Sequence, residues 1–220
     1  MRRLTIMLLL AGLVAAGLPG CSGQSSRTQA VFMLVDTSGT YAHQLDKAQS
    51  IINYLLAKLY PGDSLAVARI DSASFTQKNI LDQVTFDGRP SYAIAQKRNF
   101  KRKIDDFVKS VKHGSAYTDI TGAVVQAAEY LRETGAPHKT ILIFSDLKED
   151  LPKGDVRNFP LHLKGIRVVA LNVTKLRSDN VDPRRYRNRV KHWRKRVEEG
   201  GGKFVLVNDL SRMDKVLPQQ

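Results

Sequence analysis

The feature that most constrains the fold is a regular alternation of short apolar runs with segments of helical periodicity. The first run, residues 29–35, is nearly continuous and ends at Asp36, as expected for a strand buried on both faces. Four further runs with the same character are residues 64–70, 139–144, 166–173 and 203–207. Residues 80–86 instead alternate between apolar and polar side chains, which predicts an edge strand.

Helical periodicity fills the intervals between these runs. Residues 41–60 carry apolar side chains at helical spacing up to Pro61-Gly62, and residues 118–134 do the same. Basic helices are predicted before Gly114 and between the last two strands. Strands alternating with helices predict a doubly wound α/β fold, with a mainly parallel central sheet, one antiparallel edge strand and helices on both faces. One domain over residues 29–220 is the economical interpretation, since no internal repeat or second composition regime is present.

The amino terminus has the pattern of a targeting segment. Arg2 and Arg3 precede an apolar stretch over residues 6–18, which is too short for a confident membrane-spanning helix. Leu18-Pro19-Gly20-Cys21 resembles the lipobox that bacterial signal peptidases cut before a lipidated cysteine. Since Cys21 is the single cysteine of the chain, we expect a signal peptide over residues 1–20, lipidation of Cys21 and a tether over residues 21–28. This places the protein in a bacterial envelope, facing the periplasm or the cell surface.

The charge balance favours anionic neighbours. The chain has a net charge of +14, and the loss of Arg2 and Arg3 with a signal peptide would reduce it only slightly. Outside the cytoplasm such a charge suits anionic lipid, envelope polymers or acidic proteins. Nucleic acid becomes the favoured partner only if the protein is not exported.

Three oxygen-rich segments occupy comparable places in the predicted fold. Asp36-Thr37-Ser38-Gly39-Thr40 follows the first strand, Thr118 lies where a helix opens, and Asp146 follows the strand that ends at residue 144. In an open parallel sheet, ligands bind beyond the carboxyl ends of the strands, at the point where strand order reverses. If the strands before Asp36 and Asp146 are neighbours there, two carboxylates and three hydroxyls face one crevice.

Such oxygen donors suit a hard divalent cation. Mg²⁺ prefers about six oxygen ligands and retains water, so a few carboxylates with hydroxyls fit it, and Mn²⁺ or Ca²⁺ are the alternatives. No thiol and no histidine occurs in these segments, which argues against zinc. With only two carboxylates, the ion would keep positive character and accept a carboxylate from a protein partner.

The same residues resemble the metal-ion-dependent adhesion site of von Willebrand factor type A domains, over nearly the whole of residues 28–217. The resemblance implies direct coordination by Ser38 and Thr40, with Thr118 joining when a ligand is bound. It implies that Asp36 and Asp146 hold the metal directly or through water. The sequence departs from the family pattern in having Thr40 for the commoner serine and Leu147 where a glycine often follows the aspartate.

Two other interpretations start from the first segment. Ser38 or Thr40 could simply cap the following helix while Asp36 forms an Asx turn, and these roles are compatible with metal binding. Asp36 after a buried strand is also similar to the nucleophile of haloacid-dehalogenase-type phosphatases. That family usually has a second acidic residue two positions later, where this chain has Ser38, so we expect a binding protein and not an enzyme.

Residues 184–196 form the most basic part of the chain, with eight basic residues in thirteen. Tyr186, Val190, Trp193 and Val197 share one face at helical spacing, so the favoured interpretation is a helix packed on the sheet with a solvated basic back. A functional alternative is an anion-binding, metal-independent membrane contact, extended by a second basic cluster within residues 97–103. The basic side chains concerned are Arg184, Arg185, Arg187, Arg189, Lys191, Arg194, Lys195 and Arg196.

Overall fold

Six strands form at the predicted apolar and alternating runs. The computed structural model describes residues 27–39, 41–72, 76–111 and 114–217, apart from the side chains of Ala42, Asp214 and Lys215. The strands are β1 (Gln29–Asp36), β2 (Ser64–Ile70), β3 (Ile80–Thr85), β4 (His138–Phe144), β5 (Ile166–Leu171) and β6 (Lys203–Val207).

The strands make one sheet in the order β3-β2-β1-β4-β5-β6. Every neighbouring pair is parallel except β2 with β3, which is antiparallel. Strand order reverses between β1 and β4, which lie side by side at the centre of the sheet. The predicted doubly wound fold, its antiparallel edge strand and the adjacency of the strands before Asp36 and Asp146 are therefore confirmed.

The helices connect the strands across both faces of the sheet. They are α1 (Leu45–Lys58), α2 (Pro90–Ser110), α3 (Ile120–Glu133), α4 (Arg177–Val181) and α5 (Arg184–Glu199), with short 3₁₀ turns at Ala42–Gln44, Gln77–Asn79 and Leu210–Lys215. The prediction missed α4, whose five residues are too few to show periodicity. The predicted fourth parallel strand stops two residues early, because Asn172 has a positive φ of 52°.

Alternate residues of each strand serve two separate cores. On β1, Ala30, Phe32 and Leu34 pack with α3 and α5 on one face, whereas Val31, Met33 and Val35 pack with α1 and α2 on the other. Both sets are buried, which is why the strand reads as a continuous apolar run and not as an alternation.

The apolar stripe of α5 packs into the first of these cores. Trp193 and Val197 are buried there, and Tyr186 and Val190 pack against the same cluster while partly exposed. The predicted orientation of the helix is confirmed. The second basic cluster does not extend the first, however, because α2 lies on the opposite face of the sheet from α5.

The expected signal peptide, Cys21 and most of the tether lie outside the described residues, as does Thr40. Within the described ranges, no helix has both the length and the apolar character needed to cross a bilayer.

Candidate metal centre

Asp36 and Asp146 lie next to each other in the fold because β1 and β4 are adjacent and parallel. Val35 is paired with Phe144, so the chain leaves both strands at the same level and places Asp36 beside Ser145. This level, where the five parallel strands end, is called the carboxyl edge below. It is also the point of strand-order reversal, where open α/β sheets bind ligands.

Asp36 is almost completely buried and is held by two donors. Its Oδ1 accepts a hydrogen bond from the Ser38 backbone N–H at 2.8 Å, and its Oδ2 accepts one from the Ser145 hydroxyl at 2.7 Å. Burial raises the pKa of this carboxyl, and the hydrogen bonds from Ser145 and Ser38 oppose the rise without cancelling it. The Asx turn predicted as an alternative role for Asp36 is therefore present, since its side chain accepts from the residue two positions on.

Asp146 is the second buried carboxylate, and it is close enough to Asp36 to be repelled by it. Its Oδ1 accepts from the Lys148 backbone N–H at 2.7 Å. Burial is the main cause of its raised pKa, and the negative charge of Asp36 raises it further, while Arg189 and Lys148 act in the opposite direction. Neither Asp36 nor Asp146 forms an ion pair with any described residue.

The loops that carry Ser38 and Thr118 are brought to the same edge. Ser38 pairs with Ser115 as an isolated β-bridge, and the Thr37 carbonyl accepts from the Ser115 N–H at 2.8 Å. At Gly114 the two backbones approach so closely that an added Cβ would lie 2.5 Å from the backbone nitrogen of residue 39, so only glycine fits. Ser38 is partly buried here, at the side of Asp36.

Thr118 is fixed by its main chain on the side nearer β4. Its N–H donates to the Asp150 carbonyl at 2.7 Å, and its carbonyl accepts from the Asp150 N–H at 3.0 Å. The residue is 5% exposed. Of the five predicted metal-binding residues, Asp36, Ser38, Thr118 and Asp146 thus lie at one edge, and Thr40 is not described.

Tyr41 packs beside the candidate metal centre, against Phe144 and near both carboxylates. The sequence did not reveal this role. Its ring is buried edge-on against Phe144, with centroids 5.3 Å apart, and its hydroxyl donates to the Asn172 carbonyl at 2.5 Å. Burial is the main cause that raises its pKa to about 12, and the nearby carboxylates of Asp146 and Asp36 contribute to the rise. A tyrosine directly after an oxygen-rich motif was the available signal, but its helical spacing pointed only to α1.

The Asp146 loop adopts the shape that a glycine would allow, although Leu147 stands there. Leu147 has a positive φ of 64° and is 2% exposed. Two side chains of α5 hold this strained segment, since Trp193 Nε1 donates to the Leu147 carbonyl at 3.1 Å and Arg189 Nε to the Asp146 carbonyl at 3.1 Å. No sequence pattern indicated that α5 supports the candidate site.

The eight basic residues predicted for α5 divide into two groups. Arg189 points into the fold, where both terminal nitrogens bond the two carboxylate oxygens of buried Asp179 at 2.8 and 2.7 Å. Arg196 also points inward and donates to the Thr121 hydroxyl at 2.6 Å, beside Glu149. These two cations therefore stabilise the tertiary structure. The exposed ones are Arg184, Arg185, Arg187, Lys191, Arg194 and Lys195.

The donor set of the carboxyl edge fits a hard cation. Two buried carboxylates with hydroxyls beside them supply only oxygen. The described residues contain no cluster of three or more His, Cys, Asp or Glu side chains arranged to bind a metal. The oxygen donors at this edge are of the kind taken by an ion that keeps water and binds few carboxylates.

The chain matches no protein-family model and no curated protein. Among solved structures, the pilus adhesin SpaC from Lactobacillus rhamnosus GG aligns with a TM-score of 0.52 at 8% identity, over 86% of this chain and 29% of the adhesin chain. A von Willebrand factor type A protein from Catenulispora acidiphila aligns with a TM-score of 0.47 at 14% identity, over 87% of this chain and 41% of that one.

An aerotolerance-related membrane protein from Bacteroides fragilis aligns with a TM-score of 0.43 at 16% identity, over 86% of this chain and 96% of that one. At these identities a likeness concerns the fold alone. The adhesin alignment shows that the arrangement of strands and helices is shared with part of that protein, and it says nothing about a ligand.

Proposed function

We propose that this protein, which has the fold of von Willebrand factor type A domains, binds a protein partner through a divalent metal ion at the carboxyl edge. The residues proposed to hold the ion are Asp36, Ser38, Thr40, Thr118 and Asp146. Mg²⁺ is the favoured ion, and Mn²⁺ and Ca²⁺ are alternatives of the same hard class.

One observation carries this proposal: two buried carboxylates lie side by side without an ion-pair partner among the described residues. Burying an unpaired charge is costly, and burying two that repel each other costs more. A divalent cation between them would offset both penalties. The hydroxyl of Ser145 and the N–H of Ser38 occupy one direction of approach to each Asp36 oxygen, which fixes the carboxylate in a single orientation.

The partner chemistry follows from the charge of the site. Two carboxylates and neutral hydroxyls give a divalent ion no excess of negative charge, so an open coordination position can still accept a further anionic oxygen. A carboxylate from an aspartate or glutamate of the partner supplies that oxygen. The hydroxyl residues of the proposed site, Ser38, Thr40 and Thr118, orient the ion and exclude competing ligands.

We propose binding and not hydrolysis as the activity. Attack by Asp36 on a phosphoryl group would require a free carboxylate oxygen and a general acid close to it. Residue 38, where the phosphatase pattern has its acid, is a serine whose N–H donates to Asp36. The phosphatase pattern also has a later pair of acidic metal ligands, for which this chain offers only Glu149 and Asp150. Glu149 already accepts from the Thr121 N–H at 2.6 Å and from its hydroxyl at 3.0 Å.

We place the protein at a bacterial envelope membrane, anchored through Cys21. This part of the proposal rests on the amino-terminal sequence alone. Mass spectrometry of the membrane fraction from a bacterial host is the measurement that checks it, with Cys21→Ser as the variant that should remain unlipidated.

Thermal melting tests metal binding directly. We expect Mg²⁺ or Mn²⁺ to raise the Tm above its value in chelator, because a ligand that binds only the native state stabilises it. At about one hundred times the Kd this stabilisation is about 2.7 kcal/mol. For a domain of this size, that corresponds to about 5–10 °C.

Two variants make the melting experiment specific. Asp36→Ala should lose the metal-induced rise in Tm, whereas Asp46→Ala, which removes an exposed carboxylate from α1, should keep it. Identical melts with metal and with chelator in the unmodified protein would contradict the proposal. Turnover of a phosphomonoester that disappears in Asp36→Asn would favour the phosphatase instead.

A further inference from the structure

A strip of exposed cations borders the candidate metal centre on the side of β5. Lys175 and Arg177 follow β5 at the carboxyl edge, and Arg185 and Arg187 lie in the first turn of α5. All four side chains are exposed. We call these four residues the basic strip.

Contacts made by neighbouring residues show where the basic strip lies relative to the candidate site. Arg189 of α5 reaches the Asp146 carbonyl, and Arg187 and Arg185 precede it by two and four residues. At 1.5 Å per residue, they lie about 3 and 6 Å further along the helix axis, toward the solvent beyond the carboxyl edge. Arg185, one turn before Arg189, lies on the same side of α5, whereas Arg187 lies on the other side of the helix. On the β5 side, Thr174 contacts the hydroxyl of Tyr41, which itself lies near Asp36 and Asp146.

The cations of the strip lack partners that would explain them as structural. None of the four side chains has an ion pair or hydrogen bond with a described residue. The partly exposed acid between them, Asp182, is paired with Arg184 at 3.0 Å, and Arg185 and Arg187 act on it only as nearby charges. Two basic residues of α2 provide a contrast. Lys101 pairs with Asp105 at 2.6 Å and Lys103 with Asp82 at 2.7 Å.

An exposed apolar side chain lies within the same segment. Val181, the last residue of α4, is 88% exposed, the largest value among the exposed large apolar residues of the described chain. Protein-docking surfaces combine apolar side chains with a charged rim, and Val181 adds one exposed apolar side chain to the segment that carries these cations.

We infer that the partner bound at the metal presents several acidic residues, one of which reaches the ion while its neighbours contact the basic strip. This inference rests on the proposed function, since it extends the partner of the same site. The strip steers an acidic segment toward the carboxyl edge, and the metal selects the carboxylate that enters. The occupant is an acidic protein segment and not a lipid surface, because a flat bilayer against this edge would cover the metal centre.

A labelled octaglutamate peptide is the probe, and a Gly-Ser peptide with a single glutamate is its comparison. We expect the full chain in Mg²⁺ to bind octaglutamate about tenfold more tightly than the single-glutamate peptide, with the advantage falling as ionic strength rises toward about 0.3 M. Fluorescence anisotropy measures both affinities, and the same titrations in chelator measure the contribution of the metal.

Charge reversal locates the contact. Arg185→Glu/Arg187→Glu should weaken octaglutamate binding about tenfold or more, while Arg98→Glu/Arg102→Glu on α2, with the same change in net charge, should change it less than about threefold. Far-ultraviolet circular dichroism and melting establish that both variants fold. Equal effects of the two double variants would overturn the inference, since only the net charge would then matter.

Two further outcomes separate the inference from the proposed function. If binding requires the strip but is unchanged in chelator and in Asp36→Ala, the metal-dependent function fails and the acidic partner stands. If vesicles of anionic phosphatidylglycerol bind the chain through Arg185 and Arg187 whereas octaglutamate does not bind, the surface belongs to a membrane and the inference fails.

Discussion

Three buried aspartates are linked to the region where Arg189 packs, and one of them is paired with a cation whereas the other two are not. Asp179 is 1% exposed, and Arg189 bonds both of its carboxylate oxygens. That pairing holds its pKa at about 2. Asp36 and Asp146 are 1% and 5% exposed, and burial without a paired cation raises the pKa of each.

The difference shows that burial of a carboxylate does not by itself mark a metal site. Asp119 makes the same point, because it is 0% exposed, caps α3 through the Gly122 N–H and pairs with Arg157 at 3.0 Å. Both of these contacts are made within the protein, so Asp119 needs no external ligand. The two carboxylates that β1 and β4 bring together form no ion pair with a described residue, and the nearby charges of Arg189 and Lys148 act against the raised pKa of Asp146 without cancelling the rise.

The largest expected loss of stability comes from removing the cation that pairs with Asp179, which leaves this carboxylate unpaired like Asp36. Arg189→Met leaves the Asp179 charge buried and unpaired, which costs about 3–5 kcal/mol when a buried pair is broken. Since the Arg189 side chain is 15% exposed, we expect the lower part of that range. Urea denaturation measures the free energy of unfolding.

Two comparisons sharpen the Arg189 experiment. Arg187→Met removes an exposed cation from the same helix and should change the stability by less than about 0.5 kcal/mol. Arg189→Met/Asp179→Leu should recover part of the loss, because no charge is then left unpaired. A double variant as unstable as Arg189→Met alone would show that the ion pair is not the cause.

The next effect concerns the hydroxyl that holds Asp36. Ser145→Ala removes a buried hydrogen bond to a charged group, which is worth about 1.5–3 kcal/mol. It also raises the pKa of Asp36 further, so the affinity for Mg²⁺ measured by calorimetry should fall. Ser50→Ala, an exposed hydroxyl on α1, is the matched control and should leave both stability and metal affinity unchanged. If Ser145→Ala bound Mg²⁺ with unchanged affinity, the hydrogen bond from Ser145 would not be needed to orient Asp36 for metal binding.

The smallest effect comes from neutralising Asp146 in the absence of metal. Asp146→Asn keeps an oxygen that can accept from Lys148 and removes the repulsion with Asp36. In chelator at neutral pH, we expect this variant to be more stable than the unmodified protein by about 1 kcal/mol, although it should lose the metal-induced rise in Tm. Lower stability in chelator would mean that the charge of Asp146 is compensated within the protein.

The unpaired carboxylates, Asp36 and Asp146, and the paired one, Asp179, should make the free energy of unfolding depend on pH in opposite directions. In chelator, folded Asp36 and Asp146 bind protons more readily than the unfolded chain, so stability should rise as the pH falls from neutral toward the ordinary value of 3.8. Asp179 has its pKa lowered, so its contribution is present above 3.8 and is lost as the pH falls through about 2. Urea denaturation across this range should give a maximum of stability at acidic pH that Mg²⁺ removes by stabilising the neutral-pH protein. A stability that only declines below neutral pH would contradict the unpaired state of the two carboxylates.

Much of the fold could be predicted because its signals are local. Residues 30–35 are apolar at both the odd and the even positions, which only a strand between two layers explains, and the turn signals at Pro61-Gly62 and Gly114 divide the helices. The candidate site was predictable to the same extent, since Asp36, Thr118 and Asp146 each follow a strand or open a helix. The supports of the site were not, because Tyr41, Arg189 and Trp193 act across separations of 131, 43 and 46 residues.

The sequence by itself determined the order of strands and helices, the oxygen chemistry of the three loops and the excess of positive charge. Only the tertiary structure decided which carboxylates received an arginine and which did not. Sequence pattern reports the periodicity of burial, whereas pairing depends on side chains that meet from distant elements. For the same reason, the structure alone separated the arginines of α5 that stabilise the fold from those that remain exposed beside the candidate metal centre.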